Sequence, residues 1–235
     1  MHDIIQKVRT QLKESIDEKT QASGKRFFKD KINAYGVKMP VVEKIAKGCL
    51  RELSVLGKQE VFELAECLWR SGNLEESIVA CNWVYSRRKD YHPGDFAIFQ
   101  KWIGSYVNNW ASCDTFCNHS VGTLVEMFPE LLDELEKLAS SDNRWMKRAA
   151  SVTLIVPARR GLFFSAVLKT ASKLLLDKDD LVQKGYGWLL KVASQQHQEE
   201  VFEFVMNNKA IMPRTALRYA IEKMPKEKKL LAMAK

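Results

Sequence analysis

The chain is poor in residues that break or cross-link a fold. Its 235 residues include only 6 prolines, 11 glycines and 5 cysteines, which excludes a collagen-like chain and a disulfide-dense scaffold. The cysteines are odd in number and lie in apolar segments, so we expect a reducing, cytoplasmic setting. No run reaches the roughly 18 apolar residues of a transmembrane helix, and the amphipathic start is atypical of a signal peptide. We therefore expect no membrane partner.

Apolar residues recur at helical spacing along most of the chain. Val61, Leu64, Ala65 and Leu68 are one example, and no stretch alternates with the period of two that marks strands. The pattern predicts an all-α fold. Turn-forming clusters divide it into about a dozen helices. No linker rich in proline or serine interrupts the chain, so we expect a single domain over residues 1–235.

A weak internal repeat suggests how the helices are arranged. The segment Asp142–Ala150 recurs 37 residues later as Asp179–Gly187, and residues 217–220 form a fainter echo. This spacing favours a superhelical solenoid of HEAT-like antiparallel helix pairs with a concave basic cleft. An irregular helical bundle is the alternative.

Positive charge is concentrated in the last third of the chain. The net charge is +8, and residues 141–235 contain 18 basic against 9 acidic side chains, an excess that attracts a polyanion. In a solenoid, Lys147, Arg148, Lys184 and Lys191 would form a basic stripe interleaved with tryptophan, a pattern that fits nucleic-acid binding. A solvated basic face above core tryptophans would give the same pattern.

A second candidate site lies in a segment of few charges. Asp114 is the only acid between Asp95 and Glu126, and it follows Trp110 by four residues. If residues 110–128 form one helix, both side chains share a face, one turn apart. An ordinary helical acid beside a core tryptophan is the simpler interpretation.

Motifs for other chemistry are missing or weak. Cys113, Cys117 and His119 lack the second ligand pair that structural zinc sites have, so no metal site is expected. The chain also has no Walker loop, GxGxxG, GxSxG or HExxH motif, so these motifs give no support to ATP-driven motors, dehydrogenases, α/β hydrolases or zincins.

Several motifs together resemble the HEAT-like-repeat DNA alkylation repair glycosylases of the AlkD type. They are Tyr35-Gly36-Val37, Trp110-x3-Asp114, Asp142 to Ala150 and Gln183 to Trp188. The resemblance implies that Trp110, Asp114, Arg148 and Trp188 meet in a concave cleft and form the active site. Asn109 departs from the family, whose members often have a second aromatic residue there.

The same resemblance implies an activity and its partners. We expect a monofunctional, monomeric glycosylase that hydrolyses the N-glycosidic bond of cationic N3- or N7-alkylpurines in double-stranded DNA, without a cofactor. It would be nucleoid-associated in a bacterial host. The expected DNA-binding residues are Lys25, Arg26, Phe27, Lys29, Lys147, Lys184 and Lys191. A catalytically silent nucleic-acid-binding solenoid and a protein-binding scaffold are the alternatives.

Overall fold

The computed structural model describes residues 2–28 and 30–234, without the side chains of residues 2 and 25–27. Over these residues every regular element is a helix, which confirms the all-α class. The chain forms two compact units, residues 1–116 and 117–235. A single functional domain over residues 1–235 stays a prediction.

The first unit is built around a cluster of aromatic side chains. Trp69, Trp83, Trp102, Phe99 and Phe116 are fully buried in it. Its helices are α1 (His2–Glu14), α2 (Glu18–Phe27), α3 (Met39–Gly48), α4 (Leu50–Leu53), α5 (Lys58–Trp69), α6 (Leu74–Ser86), α7 (Asp95–Ser105) and α8 (Trp110–Phe116).

The second unit begins with a π-helix, Cys117–Val121, and has an aliphatic core. Its helices are α9 (Gly122–Met127), α10 (Leu132–Leu138), α11 (Arg144–Val152), α12 (Ile155–Arg159), α13 (Phe164–Leu174), α14 (Asp180–Ala193), α15 (Gln198–Asn208), α16 (Arg214–Ala220) and α17 (Lys226–Met233). Among the helices described in either unit, none is both long enough and apolar enough to cross a bilayer.

The helices are shorter and more numerous than the sequence predicts. In particular, residues 110–127 are all helical, close to the single helix considered over residues 110–128, but a π-helix lies between α8 and α9. Gly122 follows the π-helix at a crowded point: a Cβ there would stand 3.1 Å from the carbonyl oxygens of both Cys117 and Thr153. The wider π-turn and the missing side chain together let the backbone pass Thr153.

A side-chain oxygen caps the start of α2, through Asp17, and the starts of four later helices. Asn73, Asn109, Asn143 and Asp179 each accept hydrogen bonds through a side-chain oxygen from the backbone N–H groups of the first helical turn. Such caps satisfy donors that a helix start leaves without partners. The caps are 36, 34 and 36 residues apart, so they mark a structural repeat.

These caps correct the repeat that was read from the sequence. The predicted register of 37 residues pairs Asp142 with Asp179 and is wrong by one, since Asn143, not Asp142, caps α11. The N–H of each cap also donates to the side chain two residues earlier, Ser141 for Asn143 and Asp177 for Asp179. The two turns are therefore equivalent in detail.

Within each unit, a capped helix packs between two other helices. In the first unit α6 contacts both α3 and α8, and in the second α14 contacts both α11 and α16. Two glycines on opposite sides of α14 allow the second arrangement. A Cβ on Gly185 would meet Ser151 Oγ of α11 at 2.8 Å, and one on Gly187 would meet Tyr219 Cβ of α16 at 2.7 Å.

Candidate functional site

Trp110 and Asp114 lie one turn apart on α8, and both side chains are half-buried. The helix start is fixed by Asn109, which is 3% exposed and accepts from the N–H of Ser112 at 2.9 Å. Asn109 also donates to Asn108 Oδ1 at 2.8 Å. The residue that departs from the family pattern therefore caps the helix that carries the candidate acid, a role that its place just before the helix could have revealed.

The ring of Trp110 packs against the ring of Phe28, with centroids 5.5 Å apart and planes inclined by 31°. Phe28 follows directly after α2, which ends at Phe27. Both rings line a cavity of about 740 Å³ in the first unit, bounded by α2, the segment after it, and the starts of α6 and α8. The segment after α2 therefore forms one wall of the Trp110 environment.

Two buried acids hold this wall in place. The carboxylate of Glu75 accepts from the N–H groups of Tyr35, Gly36 and Val37 at 2.7–3.0 Å. Gly36 has a φ of +87°, and a Cβ there would stand 2.6 Å from Cβ of Gln21 on α2. The Tyr35-Gly36-Val37 motif thus has a structural function that the sequence did not reveal.

Glu76 is the second of the two acids and also holds Tyr35 in place. It accepts from the guanidinium of Arg9 and, at 2.7 Å, from the hydroxyl of Tyr35. Burial of Tyr35 and its bond to Glu76 raise the pKa of the tyrosine to about 12, so the hydroxyl stays a donor at neutral pH. In the sequence, the only signal for this arrangement was the pair of adjacent acids, Glu75 and Glu76, shortly after Asn73.

Among the described residues of the second unit, Arg148 is the most buried cation, at 5% exposure. Its guanidinium donates to the carbonyl of Leu181 in the first turn of α14. A Cβ on Gly185 would lie at an ordinary van der Waals distance, 3.5 Å, from Arg148 Cγ. Arg148 therefore joins α11 to the first turn of α14.

One face of α14 carries three of the predicted residues. Lys184, Trp188 and Lys191 are spaced by four and three residues, so they share this face. Both lysines form ion pairs: Lys184 with Asp180 at 2.7 Å and Lys191 with Glu222 at 2.9 Å. The bond from Lys191 lowers the pKa of Glu222. The helix face is basic, but local acids partly neutralise it.

Lys147 is directed towards the start of the next repeat. Its ammonium group pairs with Asp177, and the neighbouring Arg144 pairs with Asp179, the cap of α14. Lys147 is the fourth residue after its cap, whereas Arg148 and Lys184 are both the fifth. The structure therefore places Lys147 beside the predicted stripe, bridging two cap turns.

The remaining predicted residues are only partly described. Lys29 lies outside the described residues, as do the side chains of Lys25, Arg26 and Phe27. Of the four residues implied by the family resemblance, Trp110 and Asp114 belong to the first unit and Arg148 and Trp188 to the second.

Cys113 and Cys117 are buried core residues. In the part of the chain that the structure describes, no cluster of His, Cys, Asp and Glu is arranged to bind a metal ion.

Comparison with known proteins identifies the family. The profile of a family described as DNA alkylation repair enzyme matches residues 8–224. A solved Enterococcus faecalis structure, described as a predicted DNA alkylation repair enzyme, superposes with a TM-score of 0.80. It is 17% identical, and the match covers 90% of this chain and 98% of that one. No curated protein matches. Since the family profile spans nearly the entire chain, the protein belongs to the DNA alkylation repair enzyme family.

Proposed function

We propose that this protein is a DNA glycosylase that removes cationic N3- and N7-alkylpurines from duplex DNA. The observation that carries the proposal is the pairing of Trp110 and Asp114 on one short helix, fixed by the buried cap Asn109. Membership of the DNA alkylation repair enzyme family supports alkylated DNA as the substrate. The enzyme would act as a monomer without a cofactor and leave an abasic site in an intact strand.

Asp114 provides the negative charge that the reaction needs. An alkylpurine cation is already an activated leaving group, so its departure requires no general acid. The sugar left behind develops positive charge, which a fixed carboxylate stabilises most strongly where water is partly excluded. Asp114 is half-buried, as such a role requires, and it would also orient the attacking water.

The tryptophans supply aromatic faces to the charged nucleotide. The Trp110 ring packs against Phe28, and Trp188 is half-buried on α14. A cation over an indole face gains about 0.5–2 kcal/mol, and a neutral purine gains less. Selectivity for charged lesions follows from this difference.

The basic residues position the duplex. Arg148 would bind the phosphate beside the lesion through a planar fork that lysine lacks, and its buried bond to Leu181 fixes it on α14. Lys147, Lys184 and Lys191 would contact other phosphates. Lys25, Arg26, Phe27 and Lys29 would bind along the segment around the end of α2.

The decisive experiment measures free base released from methylated duplex DNA in EDTA. We expect 7-methylguanine or 3-methyladenine to appear with the parent chain, with strand breaks only after alkali. Asp114→Asn should lower the single-turnover rate by about 10² or more, with DNA affinity nearly unchanged. Asp133→Asn, which neutralises an exposed acid on α10, is the matched control and should react like the parent.

Two outcomes would contradict the proposal. DNA binding without release of base would identify a silent nucleic-acid-binding protein. Equal rates for Asp114→Asn and Asp133→Asn would remove Asp114 from the chemistry, even if base is released.

A further inference from the structure

The caps define one helix position that can be compared between repeats. The fifth residue after the cap is the apolar Ile78 in α6, Asp114 in α8, Arg148 in α11 and Lys184 in α14. In α16, which begins after Pro213 without a side-chain cap, the fifth residue after Pro213 is Arg218. From α8 onwards, the position therefore carries the candidate acid once and then a cation three times. Arg218 has no function in the mechanism described above.

Packing within the second unit places Arg218 beside the basic face of α14. The backbones of α14 and α16 approach closely at Gly187, where a Cβ would stand 2.8 Å from the carbonyl oxygen of Ala216. Lys191 lies over the ring of Tyr219, 5.6 Å from its centroid, and pairs with Glu222. Arg218 directly precedes Tyr219, the ring that Lys191 covers, so it lies next to the Lys191 contact on α16.

Arg218 differs from the other cations of this row in its surroundings. Arg148 is buried and bonded to a backbone carbonyl, and Lys184 and Lys191 are paired with acids. Arg218 is exposed, and among the residues that the structure describes it forms no ion pair. A cation without an acidic partner gives its full charge to an incoming phosphate, because no ion pair has to be broken first.

We propose that Arg218 binds a backbone phosphate of duplex DNA and extends the phosphate-binding row of α11 and α14 to α16. The inference rests on the proposed function, since it takes DNA as the partner. Helices packed side by side lie about 8–10 Å apart, so the row from α11 to α16 is about 16–20 Å long. Phosphates of one strand are about 3.4 Å apart along the duplex axis, so the row spans several of them. Phosphate contacts are indifferent to base identity, so Arg218 acts equally on damaged and undamaged DNA.

The test is a salt titration of DNA binding with three variants. Arg218→Ala removes the contact and Arg218→Lys retains the charge. Lys169→Ala is the control, since it removes the same charge from an exposed site on α13. Tyr186, on the face of α14 opposite Lys184, donates to the carbonyl of Leu175, the residue that directly follows α13. Affinities are measured for methylated and unmethylated duplexes between 50 and 200 mM salt.

Loss of one phosphate contact makes the slope of log affinity against log salt shallower by about 0.9. Arg218→Ala should show this change on both duplexes, so its loss of affinity should be about 3.5 times larger at 50 mM than at 200 mM. Arg218→Lys and Lys169→Ala should keep the parent slope. A slope for Arg218→Ala equal to that of Lys169→Ala would overturn the inference while leaving the glycosylase proposal intact. Failure of the parent chain to bind any duplex would overturn both.

Discussion

Replacing Gly187 by alanine tests the close contact between α14 and α16. The new Cβ would stand 2.7 Å from Tyr219 Cβ and 2.8 Å from the carbonyl oxygen of Ala216, and a backbone atom cannot rotate away. Overpacking of this kind costs about 1–3 kcal/mol, and the upper end applies here. Alanine recovers about 1 kcal/mol through its helix propensity. The net loss in free energy of unfolding is therefore about 2 kcal/mol.

For a chain of this length, such a loss lowers Tm by about 4–8 °C, which thermal melts followed by circular dichroism resolve easily. Gly48→Ala is the matched control, because a Cβ there meets no atom within 4 Å. Its Tm should equal or exceed that of the parent. A Gly187→Ala protein with the same Tm as the Gly48→Ala protein would refute the packing described for α14 and α16.

Gly185 provides a graded comparison on the other side of α14. Its Cβ would meet the side-chain hydroxyl of Ser151 at 2.8 Å and Arg148 Cγ at an ordinary 3.5 Å. Because this hydroxyl belongs to the side chain of Ser151, a mutation can remove it without moving the backbone. Gly185→Ala should therefore cost less than Gly187→Ala, and Ser151→Ala should restore most of the loss. A larger loss at Gly185 than at Gly187 would reverse this assignment.

Two further predictions concern the first unit. Asn109→Ala should lower the free energy of unfolding by about 1 kcal/mol through loss of the cap. It should also slow base excision, because Asp114 follows the capped turn. An unchanged excision rate would show that the cap does not position Asp114. Burial raises the pKa of Glu66, but four side-chain donors lower it to about 2. The stabilisation is therefore complete above the unfolded pKa of about 4.5 and is lost as pH falls towards 2. Glu66→Gln should reduce Tm at pH 7 and show a smaller fall in this acid range, whereas parallel Tm–pH curves for both proteins would contradict the assignment.

The sequence predicted the fold class because helical spacing of apolar residues is a local signal. It predicted the place of Trp110 and Asp114 on one helix for the same reason. The repeat register was missed by one residue because Asp142 and Asn143 are both good capping residues. The amino-acid sequence does not show which of the two adopts the extended backbone that a cap requires.

The electrostatics of the second unit could not be predicted in this way. Lys147 and Lys191 each pair with an acid about 30 residues away, and only the packing of successive repeats creates these pairs. Arg148 of one repeat bonds to the backbone carbonyl of Leu181 in the next repeat, a relation that neither residue shows alone. Counting charges along the chain therefore overstated the free positive charge of α14 and gave no reason to choose Arg218.

The caps also determine which changes in length the chain tolerates. Each capping residue restarts the helix at a fixed point, so the direction of the fifth side chain depends on the cap and not on the distance from the previous repeat. The spacings of 36, 34 and 36 residues between caps show this independence. An insertion before a cap lengthens a connection, whereas one between the cap and the fifth residue turns that side chain by about 100°. Relatives of different length are therefore best aligned from cap to cap.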